Sequence, residues 1–362
     1  LLVLSCVPTY ALDYSIAEVT GTNTITLQGE DLQEWLKENQ GVRNSKVEKK
    51  SGIFEKAWMF VKDFVLPNEA KANGITYGLG SEDDLFAVTG SFDEETGVFT
   101  ISGSGEMRGY VNLNLRPHHE ICSQIKEVII EYGITSIGDT LFSGCINLTS
   151  ISIPSSVTKI GDSAFAYCSS LESINIPSLV SEIGDFAFIG CKSLISIDIP
   201  DYVDAIGDYA FADCTSLSSV DISSSATSIG NNAFRKCESL SSVDIPNSVT
   251  SIGDEAFRDC YNLVYINLGN SIEEIGYSAF TECSSLWSLY LPSSLEFIDV
   301  DAFAFCFDLT SIDVDSNNPY YSSVDGVLFN KEQTLLILYP ASKNWDEYLI
   351  PDTVTDIGYR AL

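Results

Sequence analysis

The chain contains only two histidines, His118 and His119, which adjoin each other with no serine or cysteine nucleophile motif beside them. A base must reach a nucleophile to drive acyl transfer, so histidine-dependent catalysis is not expected. Basic residues are scarce: 19 Lys and Arg stand against 51 Asp and Glu, a formal net charge of −32. Such a surface repels phosphate backbones and anionic headgroups, which excludes nucleic acid and acidic membranes as expected partners. No later run of apolar residues approaches the ~20 needed for a membrane-spanning helix. The ten cysteines form no closely spaced pair of the kind that holds zinc, so neither a metal nor a cofactor is expected. A glycosidase would need two carboxylates facing across a cleft, and the acids here mostly keep to a repeating frame.

That frame is the main feature of the chain. Cys122, Cys145, Cys168, Cys191, Cys214, Cys237, Cys260, Cys283 and Cys306 are each 23 residues apart. With each cysteine travel a leucine (Leu171, Leu194), an inward pair of isoleucines (Ile174 and Ile176, Ile197 and Ile199), Ile-Gly (Ile160-Gly161) and Ala-Phe (Ala164-Phe165). A fixed period of this length predicts a β-rich solenoid, in which each coil buries its apolar side on its neighbours. Ile151 and Ile153 alternate with Ser150 and Ser152. That period of two predicts a short strand with one face inward, ended by Pro154. Gly161 is expected to take a backbone angle closed to other residues. Asp162 is expected to cap a single helical turn through Ser-Ala-Phe. Seven or so inward groups per coil contribute of order 10 kcal/mol of stacking before chain entropy is counted, so a coil needs its neighbours to fold.

Outside the frame, residues 1–11 read as the remnant of a secretory signal, with small Thr9 and Ala11 ahead of the cleavage point. A buried N-terminal strand is the competing reading. Residues 12–74 read as a helical and linker segment. Loop or weak strand is expected over 12–30, and helices over 31–40 and about 54–65 on the stripes Leu32, Trp35, Leu36 and Phe54, Trp58, Val61, Val65. Residues 75–120 read as a β-hairpin cap, because the open end of a solenoid exposes strand edges that must be covered. The solenoid spans 121–315. Residues 316–362 read as an elongated unit, with strands about a polar turn in Val327–Tyr339, and a last repeat that stops partway.

The pattern Leu-x-x-Ile-x-Ile-Pro-x-x-Val-x-x-Ile-Gly-x-x-Ala-Phe-x-x-Cys, met almost residue for residue from Leu171 to Cys191, resembles the BspA-type leucine-rich repeat. Gly97–Gly105 and Ile134–Gly138 are similar to that family's entry segment, and Asn317–Tyr321, Gly326–Phe329 and Leu338–Pro340 to its elongated unit. The resemblance covers about residues 92–362. It implies a right-handed leucine-rich-repeat superhelix of short parallel strands and single helical or 3-10 turns. It also implies a secreted or cell-surface protein of bacteria or protists, and adhesion to extracellular proteins. It carries over no catalytic residue.

Two columns of residues bear on function. The cysteines could form disulfides, hold metal or pack; free buried thiols are the expectation, since nine remain after signal removal and their side chains run parallel. An outward column holds Asp198, Asp221, Asp244, Asn267 and Tyr290, with Tyr265 and Trp287 beside it. Aspartates stacked at strand spacing repel by roughly 0.9 kcal/mol per pair even in water. This acidic strip running into aromatics is the expected ligand-binding face, for an extracellular protein segment or a glycan. Calcium at the Gly-Asp column is the weaker reading of those acids, because each coil offers one carboxylate. A carbohydrate-active module and a purely structural spacer are the alternatives to a recognition protein.

Overall fold

In the computed structural model, the described residues are the strand backbones at 15–20 and 23–28, and residues 76–362 apart from 82, 83, 300 and 344–346. The residues divide into two units, Leu1–Leu66 and Pro67–Leu362. In the first, Ser15–Thr20 and Asn23–Gln28 form an antiparallel hairpin, with Ser15 opposite Gln28 and Thr20 opposite Asn23. The stretch expected to be loop or weak strand is therefore a strand pair. The signal remnant and both expected helices lie outside the described residues.

The second unit is the solenoid. Its entry is an antiparallel meander, Thr76–Gly78, Val88–Asp93 and Val98–Gly103. Val98–Gly103 then pairs in parallel with Glu127–Ile130, which pairs with Ser150–Ser152. The switch from antiparallel to parallel marks where the 23-residue frame takes over. A second wall is built by the Ile-Gly positions. Ala205–Ile206, Ser228–Ile229, Ser251–Ile252, Glu274–Ile275 and Phe297–Ile298 lie in parallel register, with the five isoleucines side by side. Beyond the frame, Tyr321–Val324, Val327–Asn330 and Leu335–Leu338 run antiparallel, and Asp356–Ile357 rejoins in parallel.

The third wall corrects the expectation of a capped helical turn. Ser163, Phe165 and Tyr167 donate their N–H groups to the carbonyls of Asp185, Ala187 and Ile189 on the next coil, at 2.8, 2.8 and 2.6 Å. The intervening Ala164, Ala166 and Cys168 close tight turns on Gly161, Ser163 and Phe165. Every second N–H is thus committed to a neighbouring coil, and an α-helix cannot form from the remainder. The left-handed backbone expected at Gly161 sits instead at Ser163 (φ 53°) and Tyr167 (φ 58°). Gly161 is glycine because of close approach: a Cβ there would lie 2.3 Å from Asp139 Oδ1.

The aspartates beside these glycines cap across coils. Asp162 N–H donates to Asp139 Oδ1 at 3.0 Å, Asp185 N–H to Asp162 Oδ1 at 3.0 Å, and Asp208 N–H to Asp185 Oδ1 at 2.8 Å. Asp162 is exposed, but partial desolvation by the neighbouring coils, and then the carboxylates of Asp139 and Asp185, hold its carboxyl above the usual range. Its charged form therefore opposes folding, and stability falls as pH rises through that range. Asn231 shows the remedy: its Oδ1 accepts from Asp254 N–H at 2.8 Å while its Nδ2 donates to Asp208 Oδ2 at 3.3 Å. Asp162→Asn is accordingly expected to raise stability by about 0.5 kcal/mol after solvent screening. Asp162→Ala, which loses the acceptor, should lower it by about 1 kcal/mol. Urea denaturation of the two variants decides the matter; equal losses in both would reject the capping role.

Inside, two files hold the coils together. The rings of Phe142, Phe165, Phe188, Phe211, Phe234, Phe257, Phe280 and Phe303 stack with centroids 5.2–5.5 Å apart. Beside them run the cysteines. The Sγ of Cys168 donates to Phe142 O at 3.1 Å, and each later cysteine through Cys306 repeats that contact at 3.2–3.3 Å. The sulfurs of Cys168 through Cys306 thus keep one repeated contact, and among the described residues seven thiols are free and buried. Burial pushes the Cys214 thiol up to about 12, so it is inert as a nucleophile. The first two cysteines depart from the expectation of free thiols throughout. Cys122 and Cys145 are joined by a disulfide, with Cα atoms 4.7 Å apart. Cys122 lies in a 3-10 segment, His119–Gln124, and not in a regular coil.

The same segment places His118 in the core. Its ring lies 5.2 Å from Phe99 and 5.9 Å from Phe142, continuing the aromatic file into the entry meander. Nε2–H donates to Leu141 O at 2.9 Å. The preceding Arg116 is also buried, and its Nη1 donates to the carbonyls of Thr140, Leu141 and Ser143.

Candidate recognition face

The strand wall that starts each coil presents alternate residues to solvent. In Ser196–Asp198 and Ser219–Asp221 the central Ile197 and Val220 point inward, and Asp198 stands beside Asp221 in parallel register. Ser242–Asp244 pairs with Tyr265–Asn267, which sets Ser242 beside Tyr265 and Asp244 beside Asn267. Ser288–Leu291 pairs with Ser311–Val314, which sets Tyr290 beside Asp313. The three aspartates therefore do not form one unbroken ladder: Asp221 and Asp244 belong to separate two-stranded sheets. All seven residues expected at the site are nevertheless exposed on this wall.

Some of them have local work as well. Asn267 Oδ1 accepts from Gly269 N–H at 3.2 Å, closing the turn after the strand. Tyr290 donates its hydroxyl to Asp315 Oδ2 at 2.9 Å, and this bond raises the Tyr290 pKa above its ordinary value. Asp315 is held below the usual carboxylate range, first by the Asn317 N–H and then by that hydroxyl. Trp287 is 59% exposed. Its backbone is fixed between coils, its N–H donating to Val264 O at 3.1 Å and its carbonyl accepting from Thr310 N–H at 2.9 Å.

Two apolar residues outside the expected site, Val264 and Phe307, are exposed on the coils before and after that of Trp287, and Tyr261 is exposed on the same coil as Val264. A signal for them was present: each stands where most coils carry Ser, Thr or a charged residue. On the turn wall, Phe186 stacks on Tyr209 with centroids 4.8 Å apart, both in the left-handed backbone region. The two stand one 23-residue period apart, at the position held by Ser163 and Asn232 in the flanking coils.

His118 is enclosed in the core. Asp139, Asp162, Asp185 and Asp208 of the Gly-Asp column accept backbone N–H groups. Among the described residues, no group of three or more His, Cys, Asp or Glu side chains is placed to hold a metal ion.

Comparison with known proteins agrees with this geometry. The family described as BspA type Leucine rich repeat region matches residues 119–218 and 204–333, in six copies. No curated protein matches the chain. Among solved structures, a leucine-rich repeat protein from Bacteroides ovatus is similar at 25% identity and a TM-score of 0.54, covering 76% of this chain and 78% of that one. A leucine-rich repeat protein from Eubacterium ventriosum is 28% identical over 80% of this chain, with a TM-score of 0.36. This chain spans 56% of the length of that protein. A third, from T. pallidum, is 29% identical over 54% of this chain and 86% of its own, with a TM-score of 0.44. With more than half of its residues matched by one family and its coils built as the match requires, the chain belongs to the BspA type leucine-rich repeat family.

Proposed function

We propose that this protein is a recognition scaffold displayed outside the cell, binding another protein through its exposed strand wall and so serving adhesion. The observation that carries this reading is the departure from the frame on that wall. Ser196, Ser219 and Ser242 give way to Tyr265, and the next coil adds Trp287 and Tyr290. Exposed Trp and Tyr on a rigid backbone are the residues that dominate protein interfaces. Two observations support an extracellular setting: the leader-like residues 1–11 and the Cys122–Cys145 disulfide, which persists in oxidising compartments. No helix among the described residues is long and apolar enough to cross a membrane.

The test uses substitutions that restore the repeat. Tyr265→Ser follows Ser242, and Trp287→Thr follows Thr310, so both fit the coil. The full chain bearing both changes is expected to lose at least about tenfold in retention of extracellular-matrix proteins. Tyr167→Ala, on the turn wall, should retain them. Equal capture by all three proteins would reject the reading, and no capture by any would favour a structural spacer. Turnover on a glycan panel would instead favour a carbohydrate-active module.

A further inference from the structure

We infer that the occupant of this wall is an extended cationic protein segment, rich in arginine or lysine, laid along the solenoid axis with its cations on the exposed rings. The inference rests on the strand-wall reading and adds the chemistry of the partner. It starts from the aromatic patch. Trp287 at 59% and Tyr265 at 52% exposure present their rings to solvent. Ring faces carry negative potential, and a guanidinium or ammonium over such a ring gains ~0.5–2 kcal/mol.

Charge complementarity selects the occupant. From Thr215 to Asp313 the chain contains three basic residues, Arg235, Lys236 and Arg258. All three stand on the turn wall and are engaged there. Arg235 and Arg258 pair with Glu255 at 3.1 and 2.9 Å, and Lys236 lies 3.8 Å from Asp213. The strand wall over the same span therefore has no positive side chain, while Asp221, Asp244 and Asp313 stand on it exposed. An acidic or phosphorylated partner would meet repulsion at every coil. A neutral glycan would stack on the rings but leave the carboxylates unanswered.

The geometry also sets the length and the selectivity. From Asp198 to Asp313 there are five coil steps, ~24 Å at ~4.8 Å each, the reach of about seven extended residues. Side chains on one side of an extended segment recur every ~6.8 Å, which does not match the coil spacing. No residue-by-residue register can hold, so composition governs binding more than order.

A labelled peptide of about eight alternating Arg and Ser residues, with its citrulline counterpart, tests this on the full chain by fluorescence anisotropy. Arg peptide is expected to bind with marked salt dependence and citrulline peptide not to bind. The Tyr265→Ser, Trp287→Thr variant should weaken it roughly tenfold. Asp198→Asn, Asp221→Asn and Asp244→Asn together should weaken it and flatten the salt dependence. Removing the same charge elsewhere, by Asp84→Asn, Glu94→Gln and Glu95→Gln in the entry meander, should change affinity less than about twofold. An equal loss in that control would show diffuse attraction to a polyanion and overturn the inference. Equal binding of the citrulline peptide, still abolished by Tyr265→Ser with Trp287→Thr, would overturn the cationic occupant and leave the strand wall as the binding face. Binding indifferent to both ring substitutions would overturn both.

Discussion

Phe211→Ala is expected to lower the stability of the solenoid by about 3–5 kcal/mol, the cost of deleting a large core ring and leaving its cavity. The ring is fully buried and stacks on Phe188 and Phe234 at 5.4 Å on both sides, within 2° and 8° of parallel. The cavity cannot collapse easily. Phe211 N–H is bound to Ala233 O at 2.8 Å, and its carbonyl accepts from the Cys214 N–H and the Cys237 thiol at 3.3 Å each. Those bonds hold the coil open while nothing fills its centre. A solenoid is stabilised by nearest-neighbour contacts, so the damage should be local. Hydrogen exchange should quicken first between about Phe188 and Phe234 and spread little toward the entry meander. Tyr167→Ala, on an exposed ring, serves as the comparison. A loss below about 1 kcal/mol for Phe211→Ala would mean that the aromatic file does not hold the coils together.

Acid should weaken the entry of the solenoid, and His118→Phe should remove most of that weakness. Burial, then the neighbouring Arg116 charge, lower the His118 pKa to about 3. In the unfolded chain it titrates near its ordinary value of ~6.5. Between those values the unfolded state holds a proton that the folded state refuses. The stabilisation is complete above ~6.5 and is lost as pH falls toward 3, at up to ~1.4 kcal/mol per pH unit. The Asp162 carboxyl pulls the other way on acidification, but it is exposed and screened. Phenylalanine at 118 would extend the aromatic file between Phe99 and Phe142. It would lose the bond to Leu141 O, about 1 kcal/mol, and relieve a buried Nδ1 that has no hydrogen-bond partner. Urea midpoints at about pH 4 and about pH 7.5 should diverge for the natural chain and converge for His118→Phe. The same pH slope in both proteins would place the acid sensitivity elsewhere.

Much of this molecule was legible before any coordinate. A constant spacing of 23 residues leaves a regular coil little choice but to set equal positions above one another. The inward isoleucines, the phenylalanine file and the exposed strand wall all follow from that single regularity. The exposure of Asp198, Asp221, Asp244, Asn267, Tyr265 and Tyr290 follows too, because alternation in a strand places every second residue outside; Trp287 precedes its strand, Ser288–Leu291, with the parity of the buried Leu289, so its exposure does not follow from alternation.

The differences between sequence and structure share one cause. Along a single chain Gly161 and Asp162 look like local features, a special turn angle and a helix cap. Both answer instead to the coil before or after: the glycine makes room for Asp139, and the Asp162 carboxylate receives the N–H of Asp185. The cysteines repeat without a slip in sequence, yet the first pair is bridged and the rest donate to carbonyls. For His118 the sequence shows only that no nucleophile motif adjoins it; its place in the core depends on the fold of the entry segment.

Sequence alone determined the length of the coil, which residues face inward, and the family. Only the tertiary structure decided what the polar and small residues of the frame are for, which cysteines join, and how an irregular entry segment carries a histidine into the aromatic file. The physical reason is that hydrophobic burial is read along one chain as a period. A hydrogen bond or a close approach between coils is a relation between residues 23 apart, and its geometry exists only once the coils are stacked.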